Sequence, residues 1–369
     1  MAKDRLHGRG ARTNATGRFE SQVRESFDDG WESRAEAEAE PLRTELIEER
    51  ARSIITGNDS PDLPFDRSIN TYRGCEHGCI YCFARPTHAY LGHSPGLDFE
   101  SKLYFKPNAA RLLEKEINKP RYRCQAIALG TNTDPYQPIE RKLRLTRAIL
   151  EVLARHDHPV VITSKSALVM RDIDILAPMA AKDLARVCIS ITTLRPDLAR
   201  QMEPRAASPS RRLATIKALT EAGIPTAILT SPMIPGLNDD ELEDLLQAGA
   251  EAGARYANYT LLRLPLEIKD LFAEWLEAFE PNRANKVLSL IRQMRGGKLY
   301  KSDFGERHRG EGTYAEMIGQ RFAAAHRKYG YIKGSWGLDM DLFRKTVGAE
   351  QLDLFDVREP GFDRPSGAL

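Results

Sequence analysis

Between about residue 67 and residue 280, short apolar runs alternate with longer segments whose apolar residues recur every three or four positions. The short runs predict buried strands, which cover residues 68–73, 125–129, 160–163, 186–191, 226–230 and 256–264. The longer segments predict amphipathic helices at 108–117, 143–155, 171–180, 210–222, 239–252 and 267–279. Strands that alternate with helices favour a parallel sheet with helices packed on it. Polar loops follow the strands, where the active sites of such folds lie.

The chain outside this region has a different pattern. Residues 1–65 form a charged extension whose basic start, Lys3 to Arg18, predicts a flexible tail that either contacts a polyanion or is solvated. The Glu-, Ala- and Arg-rich stretch from Glu32 to Ser53 predicts a surface helix. We therefore divide the chain into this extension, a core at 66–280, a helical basic extension at 281–345 and a tail at 346–369.

Basic and aromatic residues interleave in the extension at 281–345, after a predicted helix from Asn282 to Met294. This composition fits either a nucleic-acid groove or a charged helical cap on the core. The basic residues are Arg295, Lys298, Lys301, Arg307, His308, Arg309, Arg321, Arg327 and Lys328, and the aromatic ones are Tyr300, Phe304, Tyr314, Tyr329 and Tyr331.

Composition adds modest limits. The 369 residues are 41% hydrophobic, enough for a sizeable core, and a net charge of +2 does not by itself demand a nucleic-acid partner. Five cysteines, three of them in one loop, favour a reducing compartment. Residues 1–20 lack an apolar signal-peptide region, and no apolar run approaches membrane-spanning length. We expect a cytoplasmic protein with no membrane partner.

Three cysteines, Cys75, Cys79 and Cys82, form a C-x3-C-x2-C motif between glycines. An odd number of thiols cannot pair completely in disulfides, whereas three thiolates can hold three irons of a [4Fe–4S] cube. The fourth iron would stay open to a small molecule. The alternative is a structural zinc site with His77 as the fourth ligand, although no second C-x2-C half-site is present.

This motif, with Tyr81 before the last cysteine, resembles the signature of the radical SAM superfamily. The resemblance covers about residues 65–280 and implies a partial (β/α)6 barrel of the TIM type. It also implies a [4Fe–4S] cluster whose open iron binds S-adenosylmethionine (SAM), which is cleaved to a 5'-deoxyadenosyl radical. A one-electron donor such as flavodoxin or ferredoxin is then an implied partner.

The chain is most similar to the spore photoproduct lyase-like branch of that superfamily. The similarity rests on short motifs at strand ends: Cys79-Ile80-Tyr81-Cys82, Thr133-Asp134, Thr163-Ser164-Lys165, Ile189-Ser190-Ile191, Met202-Glu203-Pro204 and Ser231-Pro232-Met233-Ile234-Pro235-Gly236. It implies that Thr133 and Asp134 bind the amino group of SAM and that Lys165 meets its carboxylate. It further implies that Ser190 donates to SAM, that the Ser231 backbone lies near the adenine, and that Tyr81 lines the adenosyl pocket or packs the loop.

Two residues depart from that branch. Asn132 stands where the lyase has its hydrogen-donor cysteine, and Phe83 stands where it has a tyrosine. The resemblance therefore implies the cluster and the SAM pocket but not the lyase reaction. No catalytic residue is assigned. Nearby groups that could donate a proton or contact a substrate are His77, Arg85, His88, Tyr90, His93, Glu140, Arg195, Glu203 and Arg205.

The tail contains Gln351-Leu352-Asp353-Leu354-Phe355, which resembles the peptide by which bacterial replication and repair proteins bind the DNA sliding clamp. Leu354 and Phe355 would fill an apolar pocket, and Gln351 would fix the direction of the peptide. The alternative is an amphipathic turn packed on the core.

These observations support three hypotheses about function. The first is a radical SAM enzyme that acts on nucleic acid, such as a damaged base in DNA. The second is radical SAM modification of RNA, a protein or a small molecule. The third is a metal-stabilised nucleic-acid-binding module without turnover. The sequence does not identify the substrate.

Overall fold

A computed structural model describes residues 9–20, 42–334 and 337–345. Its strands, in chain order, are β1 (Glu45–Glu48), β2 (Ile55–Gly57), β3 (Arg67–Ile69), β4 (Tyr72–Arg73), β5 (Lys102–Phe105), β6 (Ile127–Leu129), β7 (Val160–Ser164), β8 (Ala185–Ser190), β9 (Thr226–Met233) and β10 (Tyr256–Leu261).

The α-helices are α1 (Leu97–Ser101), α2 (Ala109–Ile117), α3 (Glu140–Leu143), α4 (Leu145–Arg155), α5 (Ile173–Ala180), α6 (Pro196–Met202), α7 (Pro209–Glu221), α8 (Leu242–Glu251), α9 (Ile268–Phe279), α10 (Pro281–Gln293), α11 (Glu306–Arg309) and α12 (Gly312–Lys328). Short 3-10 helices lie at Arg85–Leu91, Ala167–Asp172 and Asp239–Glu241.

In the described part of the chain, the main sheet has the order β10-β9-β8-β7-β6-β3-β2. The six strands from β3 to β10 in this sheet are parallel, and β2 pairs antiparallel with β3 at one edge. Each crossover between neighbouring parallel strands contains at least one helix. The prediction of a partial (β/α)6 barrel is confirmed, with β10 and β2 as the edge strands of an open sheet.

A second, smaller sheet has the order β1-β5-β4; β4 and β5 belong to the first crossover, between β3 and β6, whereas β1 precedes β2 in the chain. β5 pairs parallel with β1 and antiparallel with β4. The cysteine motif lies between β4 and β5, so this small sheet holds both ends of the cysteine loop.

The apolar core has two main parts. The larger packs the main sheet against the helices of the crossovers, with the fully buried Leu150, Ile162 and Ile189 among its members. The second packs α9 and α10 against the cysteine loop, and its largest side chain is Trp275. The indole of Trp275 donates to the carbonyl of Gln201 at 3.2 Å, which ties α9 to the end of α6.

Several predictions about the extensions and boundaries are wrong. Glu45–Glu48 is a strand, not part of a helix, because its backbone pairs with β5; the earlier part of the predicted helix, 32–41, lies outside the described residues. The predicted strand at 68–73 is split between the two sheets. β9 runs on to Met233, through residues that we expected to form a loop. The sequence also did not predict α6 or α12 as separate helices.

Two segments outside the central fold, residues 9–20 and 337–345, pack on the core. Residues 9–20 are not a free tail, because Arg9 and Ala11 are buried beside the cysteine loop. Residues 337–345 return to the edge of the sheet where the parallel strands begin. There the Arg344 amide donates to the carbonyl of His156 at 2.9 Å, and the ring of Phe343 lies 5.2 Å from that of His158. None of the helices in the described ranges combines the length and apolar character needed to cross a lipid bilayer.

Candidate active site at the carboxyl edge of the sheet

A cavity lies at the edge where the parallel strands end, under the cysteine loop. It encloses about 930 Å³ of empty space, part of which is open to solvent. The structure brings all the sequence-predicted site residues to its wall: Cys75, Cys79, Cys82, Tyr81, Thr133, Asp134, Lys165, Ser190 and Ser231. Their placement follows from the parallel sheet, which collects the strand ends on one side.

The cysteine loop has a backbone held by its own turns and by two neighbouring segments. The Cys75 amide donates to the Phe99 carbonyl at 3.0 Å, and the Cys82 amide donates to the Cys79 carbonyl at 3.2 Å. Gly78 has a φ of +65°, and a Cβ there would lie 2.7 Å from Glu100 Oε2. A larger residue at this position would therefore be strained and would also displace Glu100.

A buried ion pair supports the backbone of the loop. Arg85 and Glu100 are both fully buried, and Arg85 Nη2 lies 2.5 Å from Glu100 Oε1. Arg85 Nε also donates to the Cys79 carbonyl at 2.9 Å, and its Nη2 donates to the Gly78 carbonyl at 3.1 Å. We listed Arg85 as a possible substrate contact, but its donors are used by the loop backbone.

The N-terminal segment covers the same loop. The amides of Gly10 and Ala11 donate to the two carboxylate oxygens of Glu100, both at 2.8 Å. Arg9 donates to the Glu100 carbonyl at 2.6 Å. A Cβ on Gly10 would lie 1.7 Å from the Gly78 carbonyl oxygen, so only glycine fits at this point. Residues 9–11 are thus part of the wall behind the cysteines.

The three thiols are suited to a cluster more than to a single ion. No group of three or more His, Cys, Asp or Glu side chains in residues 9–20, 42–334 and 337–345 is arranged to hold one metal ion. In a cube each thiolate binds a different iron, so the sulfurs need to line one concave surface, as Cys75, Cys79 and Cys82 do. Burial raises the pKa of Cys79 to about 12, and the Glu203 carboxylate adds to this rise. Bound iron would supply the positive charge that stabilises the thiolates.

Asp134 lies in the cavity wall, but its carboxylate is occupied by protein donors. Oδ1 accepts from the Tyr136 amide and the Ser164 hydroxyl, both at 2.8 Å. Oδ2 accepts from the Lys165 amide at 2.7 Å, and His77 Nδ1 lies 3.3 Å away. Burial alone would raise the pKa of Asp134, but His77 and these donors lower it overall. In this arrangement Asp134 joins the ends of β6 and β7 and holds Lys165 in place.

Lys165 presents its ammonium to the cavity. Its Nζ donates to Ser190 Oγ at 2.8 Å, and Ser190 Oγ in turn donates to the Ser231 carbonyl at 3.0 Å. The described residues contain no carboxylate that forms an ion pair with Lys165. Thr133 uses its hydroxyl to donate to the Tyr72 carbonyl at 3.1 Å. Lys165 is therefore the predicted SAM contact whose charge is available to a ligand.

Tyr81 belongs to a second buried network. Its hydroxyl donates to Glu203 and lies 3.1 Å from Thr192 Oγ1, while its ring faces Lys165 Nζ at 5.8 Å. Glu203 also pairs with the fully buried Arg212. Burial is the largest single influence and acts to raise the pKa of Glu203, but Arg212, Lys165 and Thr192 together outweigh it and lower the pKa to about 2. Glu203 was a candidate proton donor or substrate contact. It is instead buried under Tyr81.

The other candidates differ in position. His77 and Asn132 line the cavity, as does Phe83. His88 lies behind the loop, where its Nε2 is 2.8 Å from the Lys102 carbonyl and burial lowers its pKa to about 4. His93 Nε2 is 2.7 Å from the Tyr104 hydroxyl. The remaining candidates are not among the lining residues: Glu140 binds Tyr72 and Arg171, Arg195 binds Glu241, and Arg205 binds Glu76.

Sequence reasoning missed two parts of this site. One is the segment at residues 9–11, whose partner Glu100 is about ninety residues away and shares no pattern with it. The other is Arg263, which lines the cavity just after β10. We predicted a strand to residue 264, and this placed Arg263 inside an element. Its position at a strand end could have been found only from the correct end of that strand.

Comparisons with known proteins support this description. A family model for the radical SAM superfamily matches residues 69–248. An uncharacterized protein of Mycobacterium tuberculosis is 36% identical over 269 residues, which cover 72% of this chain and 75% of the relative. An uncharacterized protein of Methanocaldococcus jannaschii is 29% identical over 199 residues, 54% of this chain and 71% of the relative. A solved structure of spore photoproduct lyase complexed with dinucleoside spore photoproduct matches 78% of this chain and 80% of its own, with a TM-score of 0.55 and 15% identity. At that identity the likeness shows a shared fold.

The buried pair under the cysteine loop gives a first prediction. A Glu100→Gln change should lower the free energy of unfolding of the apoprotein by about 3–5 kcal/mol, because it leaves Arg85 buried without a counter-charge. Urea denaturation would measure the loss. The control is Glu221→Gln, which breaks an exposed pair with Lys217 and should cost less than about 1 kcal/mol. Equal losses in the two variants would contradict the assigned role of Glu100.

The pKa of Glu203 gives a pH prediction. A carboxylate with a folded pKa of about 2 and an ordinary pKa of 4.5 stabilises the fold above pH 4.5 and loses that contribution as pH falls toward 2. The difference in unfolding free energy between wild type and Glu203→Gln should therefore be large at pH 7 and should narrow below pH 4.5. Urea denaturation of the apoprotein at several pH values would test this. A difference that is independent of pH would refute it.

Proposed function

The chain belongs to the radical SAM superfamily, and from this premise we propose that it is an enzyme that binds a [4Fe–4S] cluster and reductively cleaves SAM. One observation carries the proposal: the three cysteines of one loop and Lys165 line the same cavity at the ends of the parallel strands. An electron donor such as flavodoxin or ferredoxin would supply the electron.

Cys75, Cys79 and Cys82 would hold the cluster, one thiolate to each of three irons. When bound, the cluster and SAM together supply the radical chemistry, in which one electron cleaves the sulfonium to a 5'-deoxyadenosyl radical. The protein fixes the loop through Arg85 and Glu100, and it shields the loop from water through the segment at residues 9–11. The cysteines, on this view, are the only protein ligands of the cluster.

Lys165 would bind the carboxylate of SAM, because its Nζ faces the cavity and an ammonium and a carboxylate form a charge-assisted hydrogen bond. Ser190, which already accepts a hydrogen bond from Lys165, would then also form a hydrogen bond with SAM. Tyr81 would form a wall of the adenosyl pocket with its ring, since its hydroxyl is used by Glu203 and Thr192. Asp134 would position Lys165. Thr133 would position the start of the loop after β6.

We further propose that the substrate is a nucleic acid, with a damaged base in DNA as the leading case. The basic and aromatic residues of the extension support this, since one of its segments, Glu306–Arg309, packs next to β10 at the side of the cavity. The known lyase with the similar fold is described in complex with a dinucleoside photoproduct, which is consistent with the proposal. Asn132 and Phe83 would mean a different lesion or a different route of hydrogen return. Modification of RNA, a protein or a small molecule is the second candidate.

SAM cleavage tests the proposed reaction. The anaerobically purified protein should contain about four irons, and reduction in the presence of SAM should release 5'-deoxyadenosine. A Lys165→Met change should weaken SAM binding by about tenfold or more, because it removes a charged hydrogen-bond partner. Isothermal titration would measure the affinity. The matched control is Lys217→Met, on the outer surface of α7, which should leave the affinity unchanged.

Two results would count against this proposal. Zinc in place of iron would support a metal-stabilised binding module and refute the enzyme. A cluster without 5'-deoxyadenosine would leave the cysteine assignment in place and remove the SAM pocket.

We also propose that the tail binds the DNA sliding clamp through Gln351, Leu352, Leu354 and Phe355, which lie outside the described residues. The last described residue, Lys345, donates to the carbonyls of Lys119 and Pro120 at 2.8 and 2.9 Å, so the described chain ends away from the cavity edge of the sheet.

Substitution of the two apolar anchors tests clamp binding. The double change Leu354→Ala with Phe355→Ala should weaken binding to a purified bacterial sliding clamp by about thirtyfold, as the loss of a hot-spot pair does. Surface plasmon resonance would measure it. Asp353→Ala is the control, because residue 353 is the variable position of the peptide and should tolerate the change. Clamp binding that survives the double change would contradict the proposal.

A further inference from the structure

The side of the cavity formed by the end of β10 carries a positive charge for which the described part of the chain provides no counterion. Arg263 lines the cavity and is half-buried. Its Nε is buried and has no hydrogen-bond acceptor, and its Nη2 makes one long contact of 3.5 Å with the Tyr300 hydroxyl. The described residues contain no carboxylate within ion-pair distance of Arg263. A buried N–H of a charged group without an acceptor is unfavourable, and a bound anion would remove that cost.

The groups around Arg263 are also positive. Arg295 is buried near it and donates to the Leu262 carbonyl at 2.9 Å and to the Glu306 carbonyl at 2.7 Å. Its guanidinium thereby joins the end of β10 to α11. His308 lies on α11, and burial, Arg263 and Arg307 together lower its pKa to about 4. The acids closest to this region are engaged: Asp62 pairs with Arg307, and Glu306 pairs with Lys301.

An aromatic ring accompanies the charge. The Arg263 guanidinium lies 5.4 Å from the centre of the Phe83 ring, and 48% of Phe83 is exposed. Both residues line the cavity, and Phe83 directly follows the last cysteine of the loop. A second arginine lies beside an exposed ring on the segment that Arg295 anchors: Arg307, which pairs with Asp62, lies 4.7 Å from the Phe304 ring, which is 60% exposed.

We propose that Arg263 and Phe83 form a substrate subsite in which the guanidinium binds a phosphodiester and the ring stacks on an unpaired base. A planar guanidinium with free donors fits two oxygens of a phosphate, and exposed aromatic rings beside basic groups are the usual platform for single-stranded nucleic acid. The exposed ring of Phe304 extends this surface away from the cavity. The inference rests on the proposed nucleic-acid substrate and names the residues that select it.

The subsite also explains how a base would reach the radical centre. A base inside a duplex is out of reach of a buried site and has to leave the stack. Phe83 lies next to Cys82, so a base stacked on its ring would lie at the cysteine side of the cavity. Arg263 would hold the neighbouring phosphate at the mouth.

The test compares binding of a fluorescein-labelled single-stranded DNA of about twenty nucleotides by full-length holoprotein variants, measured by fluorescence anisotropy. Arg263→Gln should weaken binding about tenfold, and the magnitude of the slope of log affinity against log salt should fall by about 0.7, as expected for the loss of one phosphate contact with a single strand. Arg263→Lys keeps the charge but not the paired donors of the guanidinium. Its affinity for the DNA should therefore lie between those of the wild type and Arg263→Gln. Arg155→Gln is the control, since Arg155 is exposed on α4 and pairs with Glu114.

A second variant tests the aromatic part independently. Phe83→Leu keeps an apolar side chain but removes the stacking surface, so it should weaken binding of the DNA without changing the salt slope. The same variant should bind an abasic strand of equal length as the wild type does. Weakening of both strands to the same extent would refute base stacking on Phe83.

Three outcomes would overturn the inference. Unchanged DNA binding by folded Arg263→Gln protein would show that the residue contacts no phosphate. A loss of affinity for SAM with unchanged affinity for DNA would identify the SAM carboxylate as the anion. Tighter binding of poly-glutamate than of the DNA would identify an acidic protein as the partner. These readouts measure binding and not turnover, so a wild-type protein that bound DNA but made no 5'-deoxyadenosine would refute the proposed reaction and leave the subsite standing.

Discussion

The arrangement of the site depends on the ion pair between Arg85 and Glu100, which lies entirely out of solvent beneath the cysteine loop. Charges this deeply buried persist only when each finds partners for its hydrogen-bonding atoms. Arg85 satisfies this requirement through carbonyls of the loop, and Glu100 through the amides of Gly10 and Ala11. The same bonds that satisfy the two charges thus give the loop its shape and attach the N-terminal segment to it. Before iron binds, no metal ion organises the three thiols. A loop that holds them in place at that stage needs a support of this kind.

The polar groups around the cavity fall into two kinds. The carboxylates of Asp134 and Glu203 are saturated by protein donors, and they fix the strand ends and Tyr81. Lys165 and Arg263, in contrast, line the cavity, and no carboxylate among the described residues forms a direct ion pair with either of them. Fixed negative charges thus serve the fold, and the two available positive charges lie on different walls, at the ends of β7 and β10. This separation is suited to two different anionic ligands, a cofactor on one wall and a substrate on the other.

The sequence was informative where local pattern and topology decide the result. The residues from Cys75 to Ser231 could be assigned to one cavity because parallel strands end on the same side, and each predicted residue follows a predicted strand or, in the case of Ser190, lies near its end. It failed where a contact joins distant segments, as between Gly10 and Glu100, because nothing near either residue signals the other. Glu45–Glu48 was misjudged for a related reason: its composition favours a helix, but its pairing with β5 is decided in three dimensions. The role of Asp134 was also inaccessible, because an acidic residue at a strand end gives no sign of how many donors surround it.

The contact of Gly10 with the cysteine loop has a consequence for biosynthesis. The chain is made from its N-terminus, so Gly10 leaves the ribosome ninety residues before Glu100, the side chain that holds it. Docking of this segment has to wait until the loop, Arg85 and Glu100 have all been synthesised. Until then the cysteine loop lacks the cover that residues 9–11 give it in the finished fold. The three cysteines are therefore most accessible in the interval before docking, and a bulky fusion at the N-terminus would prolong that interval.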